Sequence, residues 1–586
     1  MKPGSKKVWK VLAYAVAIIL ALYLLIADGV SRYYKNRIRE RLPALAAKAT
    51  DSLYHITIQD LRINILNGAV TVYGLKMTVD SSVLERRRSE GRPEAVVLDV
   101  LVKEAKVAGV KWNNLNQEKA LSCRAVTFYK PVIRVQIMPE WERKKERKPA
   151  ATPLLSMVSA KRINIEEPEV VVLYGFGEEA YSVHNTGGRI HANNWIYHPG
   201  QALDSNTFFG AKNADILLRD IQYEYPDAMY EIGLDGIEFH SGGATSSLLG
   251  LQVNPKMDHD AFYQKIGHRS DIYECKVAEI GLKGFDWKKL LRQHEFYSEE
   301  INVDKLDLSV FFSRIPKPVE NERKPYPHQR LQHIGLPFTV RNIHVSDASI
   351  SYAEQNNKTG ETGTIRFDYL HGNISNLTND SLSIDSFPIC RTLIGGKFMH
   401  RSDILTLFDF SLKSQKGAFS INTVFKDLEA SQLRETINAL ALADIKSLKV
   451  PYARISIAGN EDSTWGKFAI RYNNLNVKLK KWDELDSELH ARVFVSLLAN
   501  KLLLYPDNPM PGGILRKATS SVPRGTTRSF FKMIWKNIYQ ACAETAIRDE
   551  GALDMVKRQS AQKGKPRKRF FKDLFPKRKK SRRKSD

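Results

Sequence analysis

Two stretches of the sequence contain residues whose types and spacing occur at reactive or ligand-binding sites. In the first, Gly175, Gly177 and Ala180 form a GxGxxA pattern after a β-like run that ends at Tyr174, and such a pattern is typical of loops that bind dinucleotides. A dinucleotide loop must open onto the N-terminus of a helix, and no helical stripe follows Ala180. We therefore interpret this stretch as a hairpin turn.

The second stretch combines Asp258, His259 and Asp260 with His268, which are residue types that ligate metal ions. It lacks an accompanying Cys or His pattern and the glycine spacing of a calcium loop, so a solvated loop is the favoured interpretation. The four cysteines form no CxxC pair: Cys123, Cys275, Cys390 and Cys542. No nucleophile elbow, P-loop, HExxH motif or paired-carboxylate motif is found. The sequence thus predicts no catalytic residue, no metal site and no cofactor.

The positive charge is concentrated at the C-terminus. The net charge is +24 over 586 residues, and residues 557–586 hold fifteen Lys and Arg against two Asp, a net of +13. Such a basic tail is typical of a disordered arm that binds an anionic surface, either lipid headgroups or nucleic acid. A membrane anchor predicted at the other end argues against a specific nucleic-acid partner, and leaves an anionic membrane or an envelope protein as the partner of the tail.

The N-terminal region contains that anchor. Residues 1–10 are basic, and Val11–Ala27 is uncharged and long enough to span a bilayer. A cleaved signal peptide is the alternative, but no clear cleavage site follows. Charges on the two sides balance and leave the orientation open; a single-pass anchor with the bulk outside is our prediction. Residues 30–50 are a predicted helical connector. The anchor residues are Val11, Leu12, Ile18, Ile19, Leu20, Leu24 and Leu25.

The stretch Tyr54–Val79 has the pattern of an antiparallel hairpin with one apolar side. Apolar residues alternate with polar ones on both sides of Asn67-Gly68, which supplies the turn, and the alternation slips once, at Tyr73-Gly74, where a bulge is expected. We predict that its apolar side lines a groove, with the lining residues Leu61, Ile63, Ile65, Val70, Val72, Leu75, Met77 and Val79.

The same alternation recurs along most of the chain. It predicts an N-terminal β region over 51–313, a Pro-rich and charged linker over 314–337 and a C-terminal β region over 338–499. Few short helices are predicted, over Pro153–Ala160, Trp287–Gln293 and Leu428–Leu440. An extended segment over 500–528 precedes an amphipathic helix over 529–547. That helix either packs on the β array or lies in a membrane interface through Phe531, Ile534, Trp535 and Ile538.

These elements predict a mainly β fold. Because the helices are too few to cover the apolar side of the strands, that side must close on itself, pack against another sheet or contact something apolar. We expect an elongated, curled antiparallel sheet that forms a groove, preceded by one transmembrane helix.

Parts of the sequence resemble a known family. An N-terminal anchor that leads into the pattern of Leu61–Met77 resembles the AsmA-like proteins of diderm bacterial envelopes, relatives of TamB and chorein-type lipid-transfer proteins. The order of strands and helix in Phe419–Leu479, and the segments up to Ile547, resemble the C-terminal module of these proteins in Bacteroidetes-type genomes. The middle, Met138–Pro337, agrees in alternation only.

The resemblance implies an inner-membrane protein with its bulk in the periplasm. It would hold or conduct lipid, with acyl chains in the groove, and contribute to outer-membrane biogenesis or envelope lipid homeostasis. An alternative is a structural protein that binds other envelope proteins through its β array. A weaker alternative is a surface-active enzyme with carboxylates in Asp215–Asp260.

Overall fold

The structure of the protein is a computed structural model. It describes residue 47 and residues 50–554, except for 65–67, 92–93, 95, 112–119, 139–155, 176–180, 199–200, 202–203, 205, 225–228, 244, 319–324, 358, 441–442, 480–503, 525–529, 549 and 552. The protein is mainly β, with 62% strand and 17% helix, and its strands belong to one large mixed sheet. The prediction of a mainly β fold is confirmed.

The elements follow one another along the chain with few helices among them. The strands are β1 (Tyr54–Thr57), β2 (Asp60–Asn64), β3 (Ala69–Val79), β4 (Val96–Ala108), β5 (Ala120–Ile137), β6 (Met157–Glu166), β7 (Glu169–Tyr174), β8 (Tyr181–Thr186), β9 (Gly188–Tyr197), β10 (Ala211–Glu224), β11 (Tyr230–His240), β12 (Thr245–Pro255), β13 (Asp271–Lys283), β14 (Phe296–Ser313), β15 (Phe338–Gln355), β16 (Thr362–Thr378), β17 (Ile389–Phe398), β18 (Ser402–Ser411), β19 (Phe419–Glu429), β20 (Ala443–Gly459), β21 (Ser463–Leu479) and β22 (Lys517–Pro523). The helices are α1 (Ser81–Ser89), α2 (His259–Ile266), α3 (Trp287–Gln293), α4 (Pro327–Gln332), α5 (Ser381–Ser386), α6 (Ala430–Leu440) and α7 (Phe530–Ala546).

The chain divides into two compact units. The first comprises residues 1–312, 334–353 and 366–383, and the second comprises residues 313–333, 354–365 and 384–586. The predicted linker over 314–337 therefore contributes residues to both units, and the segment that contains α4 belongs to the second.

The first unit begins with the predicted hairpin. Strands β2 and β3 are antiparallel, with Leu61 opposite Val72. Strand β1 pairs with the second half of β3, so the two short strands share one long partner. The change of partner falls at Tyr73-Gly74, and Gly74 has a left-handed φ of 59°. The predicted slip in the alternation is confirmed.

The prediction of a purely antiparallel sheet is wrong. Strand β5 pairs in parallel with β6 and then with β7. Parallel neighbours need a long connection that returns the chain to the same end, and the long stretch between β5 and β6 meets that need. The helix predicted over Pro153–Ala160 is also wrong in its described part, because Met157–Glu166 is strand β6, with Val158 and Ala160 buried.

The helices predicted near Trp287, Leu428 and Ser529 are confirmed as α3, α6 and α7. Helix α1 was not predicted. Its N-cap is Asp80, whose side chain accepts hydrogen bonds from the backbone N–H groups of Ser82 and Val83 at 2.9 and 3.1 Å. Hydrogen bonds from the side chains of Ser82 and His55, together with these backbone bonds, hold the pKa of the Asp80 carboxyl well below its usual range.

Helices cover the core of the second unit. Helix α7 packs against β21 and β22, and α6 packs against β20. The buried side chains between them include Phe419, Ile457 and Phe468. Tyr326, which immediately precedes α4, is fully buried in this core; it donates a hydrogen bond to the Asn460 carbonyl at 3.0 Å.

Candidate functional site

Apolar side chains form continuous rows across the strands of the first unit. Residues directly opposite each other on neighbouring strands point to the same face, so the pairing registers define each row. The first row crosses eleven strands, from β2 to β14, and all but one of its members are apolar: Leu61, Val72, Ala105, Phe128, Ile165, Ile190, Ile216, Phe239, Ser246, Leu282 and Ile301.

A second row runs beside the first on the same face. It crosses nine strands, from β4 to β14, through Leu98, Val135, Val172, Val183, Tyr223, Ile232, Val253, Cys275 and Leu308. The face that carries both rows is called the apolar face.

A line of bends separates the two rows. Between them, each long strand has two consecutive residues that point away from the apolar face: Tyr73-Gly74, Lys103-Glu104, Tyr129-Lys130, Arg219-Asp220, Asp235-Gly236, Leu249-Gly250, Ala278-Glu279 and Asp304-Lys305. One residue of the pair has a left-handed φ on alternate strands, at Gly74, Lys130, Asp220, Gly250 and Lys305. Each such pair adds one residue to the side of the strand opposite the apolar face. That side is therefore the longer one, and the sheet bends toward the apolar face.

Stacked rows and aligned bends give this unit the character of a β-solenoid. The open groove expected from the sequence is not found. Alternation within single strands predicts that the sheet has an apolar side. It does not determine the distance between the parts of a strand that lie on the two sides of a bend.

The apolar face has a buried part and a partly exposed part. On β2–β5, which we call the sealed section, Leu61, Val72, Ala105, Phe128, Leu98 and Val135 are buried in one hydrophobic cluster. On β10–β14, which we call the open section, most members of the same rows are only half-buried: Ile216, Phe239, Ile301, Tyr223, Ile232, Val253, Cys275 and Leu308. A third row in the open section, between the first row and the bends, is half-buried throughout: Leu218, Ile237, Leu248, Ile280 and Val303. The open section therefore leaves apolar surface accessible that the sealed section buries.

Aromatic side chains lie at both ends of the open section along the strand direction, one group beside the first row and the other beside the second row. At the end beside Phe239, the ring of Phe208 lies 5.2 Å from that of Phe239 and 5.0 Å from that of Trp287. At the other end, the ring of Tyr181 stacks on Tyr174 at 4.5 Å and lies 5.7 Å from Tyr223. Burial raises the pKa of Tyr181 above its usual value. Rings with an apolar body and a polar tip suit the border between an apolar ligand and water.

The residues predicted to line a groove lie in the sealed section. Leu61, Val70, Val72, Leu75 and Met77 are buried in its cluster, and Val79 packs against that cluster. The backbone of Ile63 pairs with Val70, and Ile65 lies outside the described residues. Sequence reasoning missed the open section because its strands alternate in the same way as the first hairpin; only burial distinguishes them.

The structure describes one of the two stretches singled out for their chemistry and the flanks of the other. Strands β7 and β8, which flank the GxGxxA stretch, are antiparallel, with Tyr174 opposite Tyr181; residues 176–180 of that stretch, and with them the predicted hairpin turn, lie outside the described residues. The Asp258–His268 stretch is helix α2 and its flanks rather than a solvated loop. Asp258 caps α2 through the Ala261 N–H at 2.8 Å, and the His259 ring stacks on Phe311 at 3.9 Å.

No group of three or more His, Cys, Asp or Glu side chains is placed to hold a metal ion within the described ranges. Burial raises the pKa of the Cys123 thiol to about 12 and that of Cys390 to about 11, which makes both thiols poor nucleophiles.

The predicted amphipathic helix divides its apolar residues between two sides. In α7, Phe530, Met533 and Ala541 are buried against the sheet, and Ile534 and Ile538 pack partly against the same core. Phe531 and Trp535 instead project into solvent, with exposed fractions of 65% and 48%. Of the four residues predicted for a membrane interface, two therefore lie on the core side.

The predicted anchor residues between Val11 and Leu25, and the basic tail over 557–586, lie outside the described residues. Within the part of the chain that is described, no helix is both long and apolar enough to cross a bilayer.

A comparison with protein-family models and a search of curated proteins both gave no match for this chain.

Proposed function

We propose that the protein holds or conducts lipid, with acyl chains lying against the open section of the apolar face. The observation that carries the proposal is the contrast in burial along shared rows. The sealed section shows that this fold can exclude water from the rows, and the open section leaves comparable side chains partly exposed. Exposed apolar surface of this extent is unfavourable in water, and contact with methylene groups removes it at about 0.8 kcal/mol for each buried CH₂.

The dimensions of the open section suit an acyl chain. Neighbouring strands lie about 4.8 Å apart, so the five strands β10–β14 extend for roughly 20 Å across the sheet. One leaflet of a bilayer has a hydrocarbon thickness of about 15 Å. An extended acyl chain that lies along the rows therefore has apolar contacts over most of its length.

The proposal includes a membrane location. The apolar run Val11–Ala27 would anchor the chain, and the resemblance of Leu61–Met77 and Phe419–Leu479 to AsmA-like proteins would place the bulk in a periplasm, with a role in outer-membrane biogenesis or envelope lipid homeostasis. Alkaline extraction of membranes tests the anchor: the full chain should remain in the membrane fraction, and a chain that lacks 11–27 should be released.

Photocrosslinking tests the lipid contact. A benzophenone amino acid at Leu306, which points toward the apolar face, should crosslink to lipid in cells, and the adduct should be visible by mass spectrometry. The matched control is Asp307, the next residue, which is exposed on the opposite face. Lipid adducts at both positions, or at neither, would contradict the proposal.

A second candidate function is that of an envelope scaffold that binds other proteins. The observation that favours it lies in the second unit, on the side of β17 and β18 away from the core. Leu393 is directly opposite Leu407, and Leu405 belongs to the next pair on the same face, opposite Gly395. Leu393 and Leu405 are exposed. Crosslinks from Leu405 to protein, together with no lipid adduct at Leu306, would favour this function.

A further inference from the structure

Helix α7 is held rigidly on its inner side. The Phe530 ring lies 4.9 Å from that of Phe419 and 5.4 Å from that of Tyr326. About two turns further on, the fully buried Asn537 donates to the Thr464 hydroxyl at 2.6 Å and accepts from the Ser520 hydroxyl at 2.5 Å. These contacts fix the helix on β21 and β22, so side chains on its outer side have a defined position.

That outer side presents two aromatic rings and a cation. Phe531 and Trp535 are four residues apart, so they are neighbours on the helix surface, and Lys532 is exposed next to Phe531. Phe531 and Trp535 expose 65% and 48% of their surface, and contact with a bilayer would bury this apolar area. Trp and Phe beside Lys are the residues that enter the border between headgroups and acyl chains in a bilayer.

The charge of the residues that follow α7 indicates that this bilayer is anionic. Residues 557–586, which begin shortly after α7, carry fifteen Lys and Arg and two Asp. A basic segment of this density is attracted to anionic lipid at roughly 1 kcal/mol for each Lys or Arg near the surface. A protein partner of the same chemistry would have to combine an acidic surface with an apolar one, whereas an anionic bilayer supplies both.

We propose that the outer side of α7 docks on an anionic lipid surface, with Phe531 and Trp535 inserted between headgroups and Lys532 paired with them. The inference does not depend on lipid contact by the open section: it concerns attachment to a membrane surface, and it is tested with different residues and a different readout.

Vesicle flotation of the full-length chain tests the docking. The chain is purified in mild detergent and exchanged into amphipol, which keeps the apolar N-terminal run covered. Flotation is then measured with vesicles of one part phosphatidylglycerol to three parts phosphatidylcholine, and with phosphatidylcholine alone. We expect capture by the anionic vesicles and much weaker capture by the neutral ones, with a dependence on salt.

Substitutions separate the helix from the tail. Burial of roughly 100 Å² of an aromatic side chain changes a binding constant by one to two orders of magnitude. The double variant Phe531→Ser, Trp535→Ser should therefore bind anionic vesicles at least about tenfold more weakly. The matched control is Ile514→Ser, which removes another exposed apolar side chain of the same unit and should bind like the unchanged protein. All variants should keep the same far-ultraviolet circular dichroism and the same melting temperature, because the changed side chains face solvent.

Three results would overturn the inference. One is undiminished flotation of the double variant, which would leave the tail as the whole attachment. Another is an equal loss in the Ile514→Ser control. The third is self-association of the chain that the double variant abolishes without any effect on flotation, which would assign the outer side of α7 to a second copy of the chain.

Discussion

The difference between the sealed and the open sections predicts opposite responses to the same substitution. Val72 in β3 has no exposed surface, whereas Leu306 in β14 is half-buried on the same face. In Val72→Glu the valine loses about 1.5–3 kcal/mol of burial, and a carboxylate without a partner in the core costs about 3–5 kcal/mol more. The total is comparable with the whole stability of a typical domain, roughly 5–15 kcal/mol. The first unit should unfold to a large extent.

In Leu306→Glu the carboxylate can reach water, so the loss is limited to the transfer free energy of the buried part of the leucine side chain, about 1–2.5 kcal/mol. Hydrogen exchange measured by mass spectrometry on the full-length chain follows the two variants separately in peptides from the first unit. Val72→Glu should remove protection throughout β2–β5, and Leu306→Glu should leave that protection in place while reducing the lipid that co-purifies. Equal loss of protection in the two variants would refute the division of the apolar face into a sealed and an open section.

Three further predictions concern single residues. Asn537→Ala removes three buried hydrogen bonds and should destabilise the second unit by about 2–4 kcal/mol in urea denaturation; a loss below about 0.5 kcal/mol would show that the bonds do not hold α7. Gly188→Ala places a methyl group 2.1 Å from a backbone carbonyl oxygen of β10 at a φ of +118°, so it should lower the melting temperature, whereas Gly335→Ala, which has open space, should not. Burial lowers the pKa of His328 below its ordinary value of 6.5, so the neutral form is favoured on folding; the second unit should keep its full stability above about pH 6.5 and lose stability as the pH falls below it. His328→Phe should flatten the pH dependence of the melting temperature between pH 7 and pH 5. An unchanged dependence would show that His328 is not its cause.

Local features of the fold could be predicted from the sequence. The first hairpin follows from alternation around a turn pair, and its slip at Tyr73-Gly74 is visible as a single change of phase. Helix α7 follows from apolar residues at helical spacing. Helix α1 could not be found in this way, because its sequence contains three consecutive arginines and no apolar stripe; what starts it is the cap at Asp80.

Features that depend on pairing between distant strands could not be predicted. The parallel pairing of β5 with β6 needs knowledge of where the chain returns after a long connection. The line of bends is visible only when the pairing registers of neighbouring strands are compared, because within a single strand each bend is only one pair of adjacent residues. The candidate site differs from the core in exposure and not in pattern: Val303 and Val72 both alternate with polar neighbours, but only Val72 is fully buried.

Because each long strand of the first unit carries its own bend at the same level, the array is modular. An additional hairpin whose strands contain one outward-facing pair each would extend every row by two members and the apolar face by about 10 Å, without changing any existing contact between rows. Loss of a hairpin would shorten the face by the same step. The length of the apolar surface can therefore change during evolution in whole two-strand increments, while the curvature that each strand encodes for itself stays the same.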